Sequence, residues 1–272
     1  MKFTFDRDAM IGEIAIAQEI ISTKNSGSIL SNVFLSASNN VLTIKATDVK
    51  VSFQASVPVQ VQEEGSTTVY CDKLMGILSA LPEGEVEFAQ QGGDGTQALG
   101  VVIRPMDKKI KFEMRTMSEE KFPEVAVSED APYFEVSAKE IKEMIAQTVF
   151  AVSSDETRYF MNGVYFEKKG DLLNMVATDG RRMGFSSKEI LAGVADFPAA
   201  IIHPKVLGIV LKHCPDEGNI QMAIVDKMVF FKFASYSFGA ALIGGQFPAY
   251  ERVIPASQSH HFTVAKDELV AA

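Results

Sequence analysis

Apolar and polar residues alternate at the start of the chain, and Phe3 and Phe5 fall on one face of a predicted strand. The period then lengthens: Met10, Ile14, Ala17 and Ile21 recur at helical spacing and predict an amphipathic helix. Further on the same succession returns. Phe134 and Val136 share a strand face, and Ile141, Met144, Ile145 and Thr148 form a second helical stripe. Ser137 and Glu140 precede that stripe at the spacing of a capping box. Val164-Tyr165-Phe166 and Leu172-Leu173 flank a Gly170-Asp171 turn, which predicts a hairpin. Pro204 suits the first position of a further helix, while Pro82 and Pro215 mark helix stops. Residues 220–224 and 229–233 predict closing strands.

This succession is a repeat. Ala46-Thr47-Asp48 and Ala177-Thr178-Asp179 stand 131 positions apart, and so do the openings around Phe3 and Phe134. Lys73-Leu74-Met75-Gly76-Ile77-Leu78 matches Lys205-Val206-Leu207-Gly208-Ile209-Val210, and Phe122-Pro123 matches Phe247-Pro248. Landmarks that keep one order identify a duplicated unit. Each unit reads as a mixed α+β domain of roughly 120–130 residues, with mostly antiparallel strands and two helices on one face. A third copy opens at His261-Phe262-Thr263-Val264, with Asp267-Glu268-Leu269 starting its helix pattern. The expected division is 1–127, 128–256 and a cut-short start of a third unit at 257–272. Residues 124–132 and 255–259, rich in Pro, Ser and charge, are the expected linkers.

Composition narrows the picture only a little. Of 272 residues, 47% are hydrophobic and 22% charged, which allows packed cores and argues against wholesale disorder. No apolar run is long enough to span a membrane, and the N-terminus lacks the pattern of a secretory signal. Cys71 and Cys214 are far apart in sequence, which suits a reducing cytoplasm and not structural zinc. The net charge of -9 weakens a nucleic-acid role, although an acidic protein can still present one basic face.

Candidate catalytic chemistry is sparse. His203, His213, His260 and His261 have no metal-ligand spacing, and helix-cap or surface roles fit them better. Asp48 and Asp179 occupy equivalent positions after Thr, where a carboxylate satisfies local backbone donors. Gly92-Gly93-Asp94-Gly95 is followed by no Gly-Lys-Ser/Thr, so it reads as a hairpin turn and not a phosphate loop. No metal and no cofactor is expected. An enzyme on a duplicated α+β fold remains the competing reading, and a repeat protein that meets no DNA is a third.

The stretch Glu156-Thr157-Arg158-Tyr159-Phe160-Met161-Asn162-Gly163-Val164, together with Ala177-Thr178-Asp179-Gly180-Arg181-Arg182-Met183, closely resembles the middle domain of bacterial sliding clamps. So does Gly245-Gln246-Phe247-Pro248-Ala249-Tyr250-Glu251-Arg252-Val253-Ile254-Pro255. Met1-Lys2-Phe3-Thr4 and Leu81-Pro82-Glu83-Gly84 look like that family's first domain. The family is the beta subunit of the DNA polymerase III holoenzyme, and the resemblance runs the length of the chain.

The resemblance implies three such domains per protomer and two protomers closed head to tail into a pseudo-sixfold ring. Strands would form the rim and helices would line a hole for duplex DNA, held without base readout. The implied role is a processivity factor that makes and breaks no bond. A chain lacking most of its third domain is expected to be monomeric, whereas the whole protein would be a homodimer. Implied partners are the polymerase III catalytic subunit, the clamp loader and other clamp-motif proteins.

Their short hydrophobic peptides would dock, by resemblance, against Met161, Thr178, Gly180, Arg181, Arg182, Met183, Pro248, Arg252 and Val253. Family members often carry His where Arg181 stands, and Leu in place of Met161 and Met183. Polar helix positions Lys139, Lys142, Lys205 and Lys212 are expected to face DNA phosphates. Lys24, Arg158 and Tyr159 join them by resemblance. Lys73, Ile77, Lys109, Ile110, Lys111 and Phe112 are the expected ring-interface edge.

Overall fold

The computed structural model describes residues 1–21, 25, 27–93, 96–190 and 194–272, and of residues 92, 93 and 96–99 the backbone alone. The Asp94-Gly95 tip of the expected hairpin and Lys24 therefore lie outside the described residues.

The first unit runs β1 (Lys2–Asp6), α1 (Arg7–Ile20), β2 (Asn32–Ser38), β3 (Val41–Thr47), β4 (Val51–Pro58), β5 (Gln60–Glu63) and β6 (Gly65–Tyr70). It continues with α2 (Cys71–Ala80), β7 (Glu85–Gly93), β8 (Thr96–Pro105) and β9 (Phe112–Met117). The second runs β10 (Phe134–Ser137), α3 (Ala138–Thr148), β11 (Val164–Lys169), β12 (Leu172–Thr178), β13 (Met183–Glu189) and β14 (Ala200–Ile202). It closes with α4 (Pro204–His213), β15 (Asn219–Val225), β16 (Met228–Phe233) and β17 (Tyr236–Ala241).

Local chemistry sets the helix starts. Asp6 accepts the Ala9 amide at 2.9 Å, Ser137 accepts the Glu140 amide, and Pro204 opens α4 behind His203. The predicted stripes are the buried ones: Met10, Ile14 and Ala17 on α1, and Ile141, Met144, Ile145 and Thr148 on α3.

Both units have one topology. The strand order β4-β3-β2-β6 in the first equals β13-β12-β11-β14 in the second, and β9-β8-β7-β1 equals β17-β16-β15-β10. Every pairing is antiparallel. Helices α1 and α2 pack on each other in the first unit, as α3 and α4 do in the second. The units differ at β5, which covers the outer edge of β1 and has no counterpart among the described residues of the second unit.

The units are joined edge to edge. β17 pairs with β4 from Tyr236 opposite Ala55 to Ala240 opposite Val51, giving one 13-stranded sheet. Phe53 of β4 is fully buried, 5.3 Å from the Phe238 ring and 6.0 Å from Tyr236. Helices from the two units meet across this joint. Lys205 of α4 donates to the last α1 carbonyl, Ile20 O, at 2.6 Å and to Asp48 at 2.5 Å. Lys212 and His213 pair with Glu19, and the Tyr236 hydroxyl donates to Glu13 at 3.1 Å.

Two expectations need correction here. Lys205 was read as facing DNA, but its ammonium is spent on the joint, because the C-terminal carbonyl of α1 and the Asp48 carboxylate draw it inward. Ile77 was read as part of an exposed edge, but it is 7% exposed and belongs to the helix face packed on the core.

Candidate functional site

The turn between β12 and β13 is built by two side chains. Thr178 Oγ1 donates to Arg182 O at 2.8 Å and accepts the Gly180 amide at 3.0 Å. Asp179 accepts the Arg181 and Arg182 amides and pairs with the Arg182 guanidinium at 3.0 Å. Those two amides, with the Arg182 charge, hold the Asp179 carboxyl below its ordinary range. Gly180 sits at φ 86°, where a Cβ would come within 3.2 Å of Arg158 Nη1. The same construction serves the first unit: Asp48 accepts the Lys50 and Val51 amides, and Thr47 donates to Val51 O. Both aspartates thus have the local backbone role expected of them.

Two further segments meet this turn. The 3-10 turns at Glu156–Met161 bring Tyr159 and Phe160 against Gly245, which adopts φ 100°. The segment after β17 returns over the sheet, with Phe247 stacked on Tyr165 at 4.8 Å. A small apolar cluster results from Val176, Ile201, Phe247 and Tyr250, with Phe160, Tyr165, Met183 and Ile243 against it. Arg182 lies over the exposed Phe150 ring at 5.6 Å.

Of the nine predicted pocket residues, Thr178, Gly180, Arg181, Arg182 and Met183 share one turn. Pro248 and Arg252 come from the returning segment with Val253, which is 69% exposed. Met161 is only 4% exposed, so it backs the site and offers no surface of its own. Sequence reading missed Phe160, Tyr165 and Tyr250. Tyr165 had a signal, since it falls on the same strand face as Glu167 and Lys169.

The predicted DNA-facing residues are scattered. Lys139 and Lys212 are exposed, the latter paired with Glu19. Lys142 is tied to Asp216 and to Cys214 O. Arg158 pairs with Asp155 at 2.9 Å and Tyr159 is exposed. Along the predicted ring edge, Lys111 pairs with Glu113, Lys73 reaches Glu113 O, and Lys109 and Ile110 are exposed before Phe112 opens β9. Among the described residues, no group of His, Cys, Asp or Glu is placed to hold a metal.

The model of the DNA polymerase III beta subunit N-terminal domain matches residues 1–126, and that of its central domain matches 135–249. The chain belongs to the bacterial beta sliding clamp family. A beta sliding clamp from Treponema pallidum is 42% identical over 272 residues, spanning 100% of this chain and 72% of that protein. The DNA polymerase sliding clamp of Bacillus subtilis superimposes with a TM-score of 0.87 at 24% identity, over 94% of this chain and 68% of that one. The DnaN sliding clamp of Bartonella birtlesii, solved bound to griselimycin, gives 0.84 at 29% identity over 94% and 68%. The family is a non-catalytic processivity factor, and a DNA clamp role follows for this chain.

Proposed function

We propose that this chain supplies two of the domains of a ring around duplex DNA and carries the partner-docking site on the second. The observation that carries the reading is the β4–β17 ladder. With one topology in both units, the same joint leaves two matching edges open, β13 and the side of β9 away from β8, which meets β6 only at Thr116 and Met117. Gly184 on β13 stands where Phe53 stands on β4, and the neighbouring Phe185, which matches Gln54, is 42% exposed on this edge. A third unit on β13 would bury it, and a further joint at β9 would close the ring, with Lys109–Phe112 and Lys73 nearby. Domain limits of 1–127 and 128–256, with a third domain opening at 257–272, fit this arrangement.

Duplex DNA would be held without base readout by the exposed Lys139 and Lys212 on the helices, together with Arg158 and Tyr159. The family name supports DNA and polymerase partners. The finer assignment is that the polymerase catalytic subunit, the clamp loader and other clamp-motif proteins dock short apolar peptides. They would lie between the Thr178–Met183 turn and the Pro248–Val253 segment, over the aromatic cluster. Methionine adapts to varied apolar ligands, and Arg181, Arg182 and Arg252 are suited to peptide carbonyls. Both cysteines are buried and free, which fits the cytoplasm. Among the described residues no helix is long and apolar enough to cross a membrane.

Griselimycin tests the docking site. Calorimetry should give one site per chain, weakened by Met183→Ala and by Val253→Ala. Unchanged affinity in both variants would remove the site from this turn.

A further inference from the structure

Three side chains on one face of β11 meet three residues of the returning segment in order. Tyr165 stacks on Phe247 with rings 7° apart, Glu167 accepts the Tyr250 hydroxyl at 2.8 Å, and Lys169 pairs with Glu251. Lys169 also lies 3.4 Å from Glu167 and 5.6 Å from the centre of the Tyr250 ring, which closes the contacts into a network. Alternation along the strand puts positions 165, 167 and 169 on the same side. Tyr250 is the last buried residue of the chain. After Glu251, no side-chain hydrogen bond or ion pair to the second unit follows among the described residues. Arg252 and Val253 therefore take their position from what holds 250 and 251.

The first unit serves as a control. Its β2 places Phe34 against Phe122 at 5.6 Å, so the aromatic step is kept. The positions matching Glu167 and Lys169 are Ser36 and Ser38. Ser38 bonds Glu64 instead of the linker. That linker is pinned between units, where the Ala126 carbonyl lies against Gly239. Only the second unit, whose returning segment has no neighbour packed over it among the described residues, adds the polar rungs.

We infer that Glu167, Lys169, Tyr250 and Glu251 form a clasp that positions Arg252 and Val253 as a fixed wall of the partner-docking site. The inference rests on the site proposed above. These are positioning residues, acting through the segment they hold. Preorganising the wall spares a ligand the cost of ordering it. Burial and the Glu167 carboxylate push the Tyr250 hydroxyl up to about 12, so it remains a donor across neutral pH. The Glu251 carboxylate keeps Lys169 charged.

The test compares griselimycin affinity of this chain with that of Lys169→Gln combined with Tyr250→Phe, a pair that keeps the ring packing and removes the polar rungs. Affinity should fall about three- to tenfold, the scale of a few partly exposed polar contacts. The melting temperature should move by no more than about 2 °C. Val253→Ala should weaken binding in the parent and have little further effect in the clasp variant, a coupling that a purely structural role would not produce. Lys169→Arg should restore binding in part. If the clasp variant binds like the parent while Val253→Ala and Met183→Ala still weaken binding, the clasp is overturned and the site stands. If neither Val253→Ala nor Met183→Ala has an effect, the site itself fails and the clasp with it.

Discussion

At Val49 the backbone holds φ at 76°, a region that β-branched residues rarely enter. The equivalent position of the second unit is Gly180, at φ 86°. The turn is the same, held by Thr and Asp side chains in each case, so the strain at Val49 is local and its side chain is exposed. Val49→Gly should stabilise the chain by about 1 kcal/mol, the scale of a left-handed L-residue offset by glycine's freedom, read as a higher urea midpoint. Gly76 and Gly208 pose the opposite case. Both sit mid-helix at matching repeat positions, exposed, with open space where a Cβ would go. Gly76→Ala and Gly208→Ala should each add about 0.5–1 kcal/mol in the same assay. The Thr-Asp turns were legible in the sequence because their bonds run between neighbours. The strain at Val49 was not, because φ depends on how the strands close.

The side-chain contacts across the joint between the units were not legible in the sequence, since Glu19 and His213 lie 194 positions apart and Glu13 and Tyr236 lie 223 apart. The carboxylates of the joint answer pH in opposite directions. Burial pushes the Glu13 carboxyl up, against the Tyr236 hydroxyl and His213. The folded state therefore binds that proton more tightly than the unfolded chain, and ionised Glu13 costs stability at neutral pH. Glu13→Gln should raise the melting temperature at pH 7.5, and the gain should vanish as pH falls through the raised carboxyl value.

Asp48 and Glu19 behave the other way. Burial opposes their charge, but Lys205 and two amides for Asp48, and Lys212 and His213 for Glu19, hold both carboxyls below the ordinary range. Their contribution is present at neutral pH and is lost as pH drops below about 4. Lys205→Met should cost about 1–2 kcal/mol by leaving Asp48 and Ile20 O short of a donor. That loss should shrink in acid, where Asp48 is neutral, as followed by urea titration at pH 7 and pH 3.5. The second unit spends its matching aspartate on Arg182 instead. One turn thus serves as a joint in the first unit and as a site wall in the second.

For the whole molecule, the decisive surfaces are two strand edges. β13 presents Phe185 at 42% exposure, and the approach to β9 presents Ile110 at 47% exposure. Unpaired edges of this kind invite pairing, but the joint seen here needs one edge of each type, aligned with helices that cap each other. These 272 residues by themselves should give a light-scattering mass near 29.7 kDa, in low and high salt alike. A salt-resistant dimer would contradict the proposed ring geometry. The charge of -9 adds a consequence: duplex DNA binding by this chain should be weak, and it should fall steeply with added salt.

The sequence by itself determined the duplication, the helix and strand stripes, the caps and turns, and the family, because each is written in residues a few positions apart or in a repeated order. Tertiary structure alone decided which lysines are free. Lys205 and Lys142 look like any solvated helix lysine in the chain, and only the approach of Asp48, Ile20 O, Asp216 and Cys214 O gives them partners. It also decided that the edge of β4 is covered while that of β13 is open, although the two strands occupy the same place in the repeat. Burial depends on what arrives from a distant part of the chain, and local pattern carries no record of that.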